Sequence, residues 1–286
     1  MLKSRLCIAF FAFAVGCAPA QKPLTDYVTP MRGTATLWDS VDLGFKPTKR
    51  TWGAEVFPGS ALPNAMVQVS PVTKFHSGAG YQYEDSVIYG FTHTNKGHWN
   101  LCHIPLLPVT GTPTPGDYCS PFSHERESAA PGYYQVFLDR YGVDAQLSST
   151  LRCAFHKYTY PAGAAPAVLA DLQRSNEHVR AWDIRKEGDN VFAGWQQTGE
   201  KMYFYAVANR PVTGIEPVVE GDREVRIVRF GEGDGALELR IGFSFVSEKN
   251  ARENLEAEML GKSFAEVRSE ATATWNDLWG RIRVEG

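Results

Sequence analysis

The sequence lacks an excess of charge and is poor in cysteine. Its 286 residues carry 29 lysines and arginines against 32 aspartates and glutamates, a formal net charge of −3. Without a basic field, nucleic acid is not an expected partner, and a neutral ligand fits the charge balance better. The five cysteines include no Cys-x-x-Cys pair, so their spacing predicts no zinc site.

The apolar run near the amino terminus is too short to span a bilayer. This run, Leu6 to Val15, follows Lys3 and Arg5, which is typical of a secretory signal. It ends in Ala14-Val-Gly-Cys17, which resembles a bacterial lipoprotein cleavage box. We predict a leader over residues 1–17 and an exported bacterial protein of the periplasm or outer membrane. Lipidation at Cys17 would be its membrane contact, and a soluble exported protein is the alternative.

Three cysteines remain beyond the leader: Cys102, Cys119 and Cys153. In an oxidising compartment an odd count permits at most one internal bridge. The alternative is that all three are small buried hydrophobic residues. The sequence leaves both open.

The central part of the chain is predicted to be all-β. Short apolar or alternating runs are separated by Gly, Pro, Asn and Asp, which favours two packed antiparallel sheets. The twelve predicted strands are Met66–Val69, Val87–Phe91, Ile104–Val109, Tyr133–Leu138, Val143–Leu147, Ala154–Tyr160, Val168–Leu172, His178–Arg185, Asn190–Gln197, Met202–Asn209, Glu224–Phe230 and Ala236–Phe245.

The pattern changes after Val246. Acids and bases alternate up to Gly261, and then apolar residues recur every three or four positions from Phe264 to Leu278, which predicts an amphipathic helix. Ser263 followed by Glu266 matches a capping box. The apolar side chains Trp275, Leu278, Trp279 and Ile282 would need a partner surface.

The segment from Trp52 to Trp99 is dense in aromatic, histidine and small polar residues. Aromatic rings offer flat apolar faces to a pyranose, while His, Asp, Glu, Thr and Asn read its hydroxyl groups. This composition favours sugar binding.

Several motifs in the same order resemble the N-terminal domain of glycoside hydrolase family 92, a family of exo-acting α-mannosidases. They are Phe57-Pro-Gly-Ser-Ala-Leu-Pro63, Met66-Val-Gln-Val-Ser-Pro71, Gly80-Tyr-Gln-Tyr-Glu-Asp85, Gly90-Phe-Thr-His-Thr94, Phe122-Ser-His-Glu125, Pro131-Gly-Tyr-Tyr134 and Phe155-His-Lys-Tyr-Thr-Tyr-Pro161. The resemblance implies a galactose-mutarotase-like supersandwich over residues 18–246. Residues 247–286 then resemble the helical linker that leads, in the family, to an (α/α)6 domain.

The resemblance also implies inverting, calcium-dependent hydrolysis of terminal α-mannose, with acid and base on that helical domain. We therefore assign no catalytic residue and no metal ligand to this chain, although calcium is expected for a complete family enzyme. A mannose-containing glycan is the expected ligand. A separate helical half is the expected second partner if the chain works as part of a split enzyme.

The resemblance places the substrate contacts on two loops. The predicted substrate-binding residues are Trp52, Glu55, Phe57, His93, Thr94, Lys96, His98 and Trp99. Around them the sequence departs from the family pattern by replacing histidines with Lys, Trp and Glu, which puts the linkage preference in doubt. A phosphate-bearing mannan is one hypothesis, with Lys49, Arg50 and Lys96 as its anion contacts.

Each of these residues also has a structural interpretation. Trp52 and Trp99 could be packing residues, and His93 could hydrogen-bond a neighbouring strand. His76, His124 and His156 are expected to be structural. The alternative functions are an exported carbohydrate-binding module without hydrolase activity and a purely structural sandwich.

Overall fold

The computed structural model describes residues 22–35, 56–95 and 101–282. Seventeen strands occur in these ranges. In chain order they are β1 Ser60–Ala61, β2 Gln68–Val72, β3 Val87–Ile88, β4 Gly90–Thr92, β5 Leu106–Val109, β6 Ser120–Pro121, β7 Glu127–Ala130, β8 Tyr133–Leu138, β9 Val143–Ser149, β10 Cys153–Thr159, β11 Ala167–Ala170, β12 Ala181–Gly188, β13 Val191–Gln197, β14 Lys201–Ala208, β15 Val212–Glu220, β16 Arg223–Phe230 and β17 Leu237–Ser244. Helices α1 Glu248–Glu258 and α2 Phe264–Gly280 follow, and two 3-10 helices cover Leu24–Tyr27 and His124–Arg126.

The strands form two large antiparallel sheets. One sheet has seven strands in the order β1-β2-β4-β5-β11-β16-β15, and the other has eight in the order β12-β13-β14-β17-β10-β9-β8-β7. Strands β3 and β6 make a separate pair. A single apolar core contains residues from both large sheets, among them Val69, Leu106, Leu147 and Phe204. The predicted antiparallel sandwich is confirmed.

Eleven of the twelve predicted strands are present with ends shifted by a few residues, and the predicted strand Val87–Phe91 is split into β3 and β4, which belong to different sheets. The prediction missed β1, β6, β7 and β15, of which β1, β7 and β15 lie at sheet edges. An edge strand buries less of each face, so its hydrophobic alternation is weak. In β15, Gly214 and Pro217 break the pattern further, and Pro is tolerated there because the strand has a free edge.

Helix α1 lies within residues 247–286, which resemble the family's helical linker, although the charge pattern alone predicted no helix there. Its buried residues, Ala251 and Leu255, lie against β17. A Cβ at Gly242 would lie only 2.1 Å from the Ala251 carbonyl oxygen, so the glycine permits this close helix-to-sheet packing. The Ser247 hydroxyl caps the helix by accepting from the backbone N–H of Asn250.

Helix α2 begins with the predicted capping box between Ser263 and Glu266. Phe264 and Val267 pack with Tyr133, Cys153 and Phe155 in a second apolar cluster on the outer face of the eight-stranded sheet. That sheet therefore lies between the seven-stranded sheet and the two helices. None of the helices in the described ranges combines the length and apolarity that a bilayer span requires.

No disulfide joins Cys102, Cys119 and Cys153 to one another in the described part of the chain. Cys102 and Cys153 are buried, and Cys119 is half-buried. Burial raises the pKa of Cys119. The interpretation that all three are small buried hydrophobic residues thus holds for Cys102 and Cys153, which lie in apolar clusters, but not for the half-buried Cys119.

Candidate functional site

The strand register gathers several loops at one end of the sandwich. Ser70 pairs with Thr92, Phe91 with Leu106, and Leu106 with Ala170, so the loops next to these residues are neighbours. We call this region the loop end and define it as residues 56–68, 93–95, 101–105, 150–152, 171–180 and 197–200. Backbone bonds from Gln68 N to His93 O and from Met66 N to Leu151 O join parts of it.

Three of the predicted substrate-binding residues, Phe57, His93 and Thr94, lie at the loop end. The other five lie outside the described residues and stay predictions: Trp52, Glu55, Lys96, His98 and Trp99. The same holds for the lipidation site Cys17 and for the proposed anion contacts Lys49 and Arg50.

His93 is fully buried. Its Nδ1 lies 2.9 Å from the Ile104 carbonyl oxygen, and its Nε2 lies 2.9 Å from Nε2 of His156 on β10. Burial lowers the pKa of His93 to about 3, so the ring is neutral at physiological pH. The structure thus shows the hydrogen-bonding alternative for His93, and substrate contact stays a prediction.

Thr94 is held by a second buried histidine that sequence reasoning missed. The Thr94 hydroxyl accepts from the His103 backbone N–H at 3.1 Å and lies 2.9 Å from Nδ1 of the same residue. Nε2 of His103 lies 3.0 Å from the Thr198 hydroxyl, which belongs to the loop after β13. Burial lowers the pKa of His103 to about 4. Thr94 therefore belongs to a bridge between the two sheets.

The segment Cys102–Ile104 has an unusual backbone. Cys102 has φ of 51° and Ile104 has φ of 53°, both in the left-handed region. For residues with a Cβ this region costs about 1–2 kcal/mol each, and a β-branched side chain is a marked exception there. Such conformations concentrate at functional sites, where surrounding contacts hold them.

Phe57 lines a pocket of about 360 Å³ beside helix α2. Trp275 and Trp279 form its other wall, with stacked rings whose centroids are 4.9 Å apart. Nε1 of Trp275 donates to the Ala61 carbonyl oxygen at 2.8 Å. The sandwich itself covers part of the two tryptophans, which are half-buried, and the need for a separate partner on this face stays a prediction. Ile282 is 80% exposed.

A groove of about 740 Å³ runs beside loop 171–182. Its lining combines the indole of Trp182 with charged side chains of both signs, Arg174, Arg180, Arg223, Glu177 and Asp222. The guanidinium of Arg174 lies 4.7 Å from the ring centre of Phe75 and 4.9 Å from that of Tyr89. Donors and acceptors of both signs beside an aromatic ring can contact the hydroxyl groups and the apolar face of a sugar. The sequence contains no local motif for this groove.

Glu127, one of the acids near the aromatic motifs, is enclosed by donors. Its side chain is 1% exposed. Tyr81 donates to both carboxylate oxygens at 3.0 Å, Tyr134 donates to Oε1 at 2.5 Å, and Nδ1 of His124 lies 2.6 Å from Oε2. Burial and the Glu127 charge raise the pKa values of both tyrosines, which remain donors. Glu127 is therefore a structural acid in this fold.

The described residues do not fit a calcium ion. In the part of the chain that the structure describes, no three His, Cys, Asp or Glu side chains come together as a metal site. The buried carboxylate of Asp171 accepts from Tyr118 and Arg223 at 2.6 and 2.7 Å, so a cation there would meet a positive guanidinium.

Fold and loop end together define a two-sheet antiparallel β-sandwich with a polar, partly strained surface at one end and a helical tail. The family model described as the glycosyl hydrolase family 92 N-terminal domain matches residues 27–254. The chain belongs to glycosyl hydrolase family 92.

Solved structures of this family share the fold. The GH92 α-mannosidase BT3965 from Bacteroides thetaiotaomicron superposes with a TM-score of 0.80 at 24% identity, over 93% of this chain and 39% of that protein. BT3965 has also been solved in complex with mannoimidazole. The inverting GH92 mannosidase BT2199 from the same species gives a TM-score of 0.77 at 23% identity, over 92% of this chain and 37% of that protein.

An uncharacterized secreted glycosidase of Arthroderma benhamiae is 24% identical over 82% of this chain and 37% of its own length. The chain thus spans less than two fifths of the length of the relatives it matches. These likenesses show the fold.

Proposed function

We propose that this chain is the substrate-binding sandwich of an exo-α-mannosidase that releases terminal α-mannose from glycans. The observation that carries the proposal is the family 92 match over residues 27–254, a range that includes the whole loop end. The mannoimidazole complex of BT3965 supports a mannose-like ligand. The polar loops and the groove, which carries charged side chains of both signs, are chemically suited to such a ligand.

The sandwich contributes binding and orientation. Inversion requires two carboxyl groups about 6.5–9.5 Å apart on opposite sides of the scissile bond, one protonated and one ionised. Glu127 cannot supply either function while its oxygens accept from Tyr81, Tyr134 and His124. We therefore propose that the acid and the base come from a helical domain, as the family resemblance implies, and that the sandwich forms one wall of the sugar site.

A carbohydrate-binding module without hydrolysis is the second candidate. It is favoured by the many contacts that the loop end makes within the sandwich itself, including the bonds of Thr94 to His103 and of His103 to Thr198. Such a module would bind mannosides without a helical partner.

One experiment tests both functions against hydrolysis by this chain alone. The purified chain is incubated with α-1,2-mannobiose, with and without calcium, while free mannose and binding heat are measured. We expect binding without mannose release. Release of mannose by this chain alone would show that its own carboxylates suffice. Absence of binding by a folded sample would contradict both the sandwich wall and the module.

We also propose export, with Cys17 as the lipid-bearing residue. The leader pattern and the secreted relative from Arthroderma benhamiae support export. Metabolic labelling with a radioactive fatty acid in a bacterial host should mark the protein and should fail for Cys17→Ser. Equal labelling of the variant would rule out Cys17 as the lipidated residue, and no labelling of either protein would leave the soluble exported form.

A further inference from the structure

A buried polar layer crosses from the eight-stranded sheet to the loop end. We propose that His156, Tyr158 and Gln196 are positioning residues that hold Cys102–Ile104 in the shape in which the loop end binds a mannoside. This inference rests on the proposed sugar-binding function. None of the three residues was a sequence candidate for the site, and none is needed for contact with the sugar itself.

The first part of the layer is a chain of hydrogen bonds with a single direction. The Ile104 carbonyl oxygen can only accept, so Nδ1 of His93 carries a proton and donates to it at 2.9 Å. A neutral His93 then accepts at Nε2 from Nε2–H of His156, also at 2.9 Å. Nδ1 of His156 in turn accepts from the Tyr158 hydroxyl at 2.5 Å.

Burial supports this direction. All three side chains, His93, His156 and Tyr158, are fully buried. Burial lowers the pKa values of both histidines and raises that of the tyrosine, so the rings are neutral and the phenol keeps its proton. Each nitrogen then has one role, because reversing one ring would place two donors or two acceptors face to face.

The second part of the layer holds the other side of Ile104. Its backbone N–H donates to Oε1 of Gln196 at 2.7 Å. The amide nitrogen of Gln196 donates to the carbonyl oxygens of Leu172 and Arg174 at 3.0 and 2.8 Å. The Ile104 N–H is thus fixed directly by Gln196 on β13, and the carbonyl oxygen is fixed by His93, which His156 on β10 holds. The same glutamine also ties in the loop that lines the 740 Å³ groove.

The strained segment links this layer to the predicted binding residue Thr94. His103, between Cys102 and Ile104, bonds the Thr94 hydroxyl through both its backbone N–H and its ring. The Cys102 N–H donates to the Thr94 carbonyl oxygen at 3.1 Å. Relaxation of the left-handed residues would therefore move Thr94 and widen the loop end.

The test compares two Tyr→Phe substitutions made in the full chain. One is at Tyr158 on β10, and the other is at Tyr160, just after the end of that strand. Tyr158→Phe removes the hydroxyl that starts the hydrogen-bond chain. Tyr160→Phe removes a hydroxyl that donates to the Ala167 carbonyl oxygen, at the end of β11 away from the loop end, and serves as the matched control. Affinity for α-1,2-mannobiose is measured by calorimetry, and amide hydrogen exchange is measured over residues 101–105.

We expect Tyr158→Phe to weaken mannobiose binding about tenfold, the effect of roughly one lost buried hydrogen bond, and to speed exchange over 101–105. Tyr160→Phe should change neither quantity. Equal behaviour of the two variants would overturn the positioning role. If the wild-type chain binds no mannobiose, the proposed function fails, while the exchange comparison still decides whether the layer holds the segment.

A measurement on the wild-type chain covers the case in which Tyr158→Phe does not fold. Nitrogen-15 NMR of histidine-labelled protein reports which ring nitrogen carries the proton. We expect His93 protonated at Nδ1 and His156 protonated at Nε2. The opposite tautomer at either residue would overturn the directional chain.

Discussion

The structural role of the buried residue Glu127 is set by the side chains around it. An ionised carboxylate away from water is costly unless donors and an opposite charge compensate it. Here Tyr81, Tyr134 and His124 fill that role, and the His124 ring stacks on Tyr83 with centroids 3.9 Å apart. The carboxylate thus joins the loop after β2 to strands β7 and β8.

Glu127→Gln should destabilise the fold by about 2–4 kcal/mol, because the amide N–H2 would face donors where the carboxylate now accepts. Urea unfolding measures the free energy. Glu216→Gln is the control, since Glu216 pairs with Arg229 but is 54% exposed, and we expect about 0.5 kcal/mol or less there. A similar loss for both variants would contradict the buried network.

At the scale of elements, the docking of helix α2 depends on a glycine in a turn. Gly132 lies between β7 and β8 with φ of +79°, and a Cβ there would lie 2.6 Å from the Cβ of Ala271 on α2. The turn thus needs glycine for its backbone conformation and for space. The helix and the sheet approach closely because Gly132 and Ala271 are both small residues.

Gly132→Ala should cost about 2–4 kcal/mol, the sum of a left-handed alanine and an overpacked helix contact. Gly163→Ala isolates the backbone part, because Gly163 has φ of +78° with nothing within 4 Å of its Cβ position. We expect that control to cost about 1–2 kcal/mol in urea unfolding.

The double variant Gly132→Ala with Ala271→Gly tests the contact itself. Removing the Ala271 methyl group should recover part of the loss, so the two changes should be non-additive by about 1 kcal/mol or more. Strict additivity would mean that the Gly132 cost comes from its backbone alone.

At the scale of the whole molecule, buried histidines make stability depend on pH. Burial lowers the pKa values of His93 to about 3 and of His103 to about 4, and lowers that of His156 as well. In the unfolded chain these histidines have pKa values of about 6.5. The unfolded state therefore binds more protons below that pH, so stability is fully present above it and is lost as the pH falls towards the folded pKa values.

Between pH 7 and pH 5 we expect each of these histidines to remove about 1–2 kcal/mol of stability, with little change between pH 7 and pH 8 from the same groups. Urea unfolding at the three pH values measures this. His103→Gln should reduce the loss by about a third, and His178→Gln, at an exposed position, should leave it unchanged. A free energy of unfolding that does not change between pH 7 and pH 5 would contradict the conclusion that these histidine rings are buried and neutral.

The central strands and the capping box could be predicted from sequence because their signals are local. Alternation of apolar and polar residues indicates a strand with one buried face. Ser263 and Glu266 satisfy backbone N–H groups of the first helical turn and of the cap itself, all within four residues. The ordered motifs likewise sufficed for the family. Edge strand β15 and helix α1 gave weak local patterns, since most of their side chains face solvent.

The local sequence by itself therefore determined the sheet strands, the C-terminal helix and the family, and tertiary structure decided which polar residues support the site. His93 meets His156 across 63 positions, and Ile104 meets Gln196 across 92. No spacing rule reports such pairs, because a buried polar group takes its partner from whichever strand lies opposite in space. The left-handed backbone of Cys102 and Ile104 was hidden for the same reason, since distant contacts hold it against local preference.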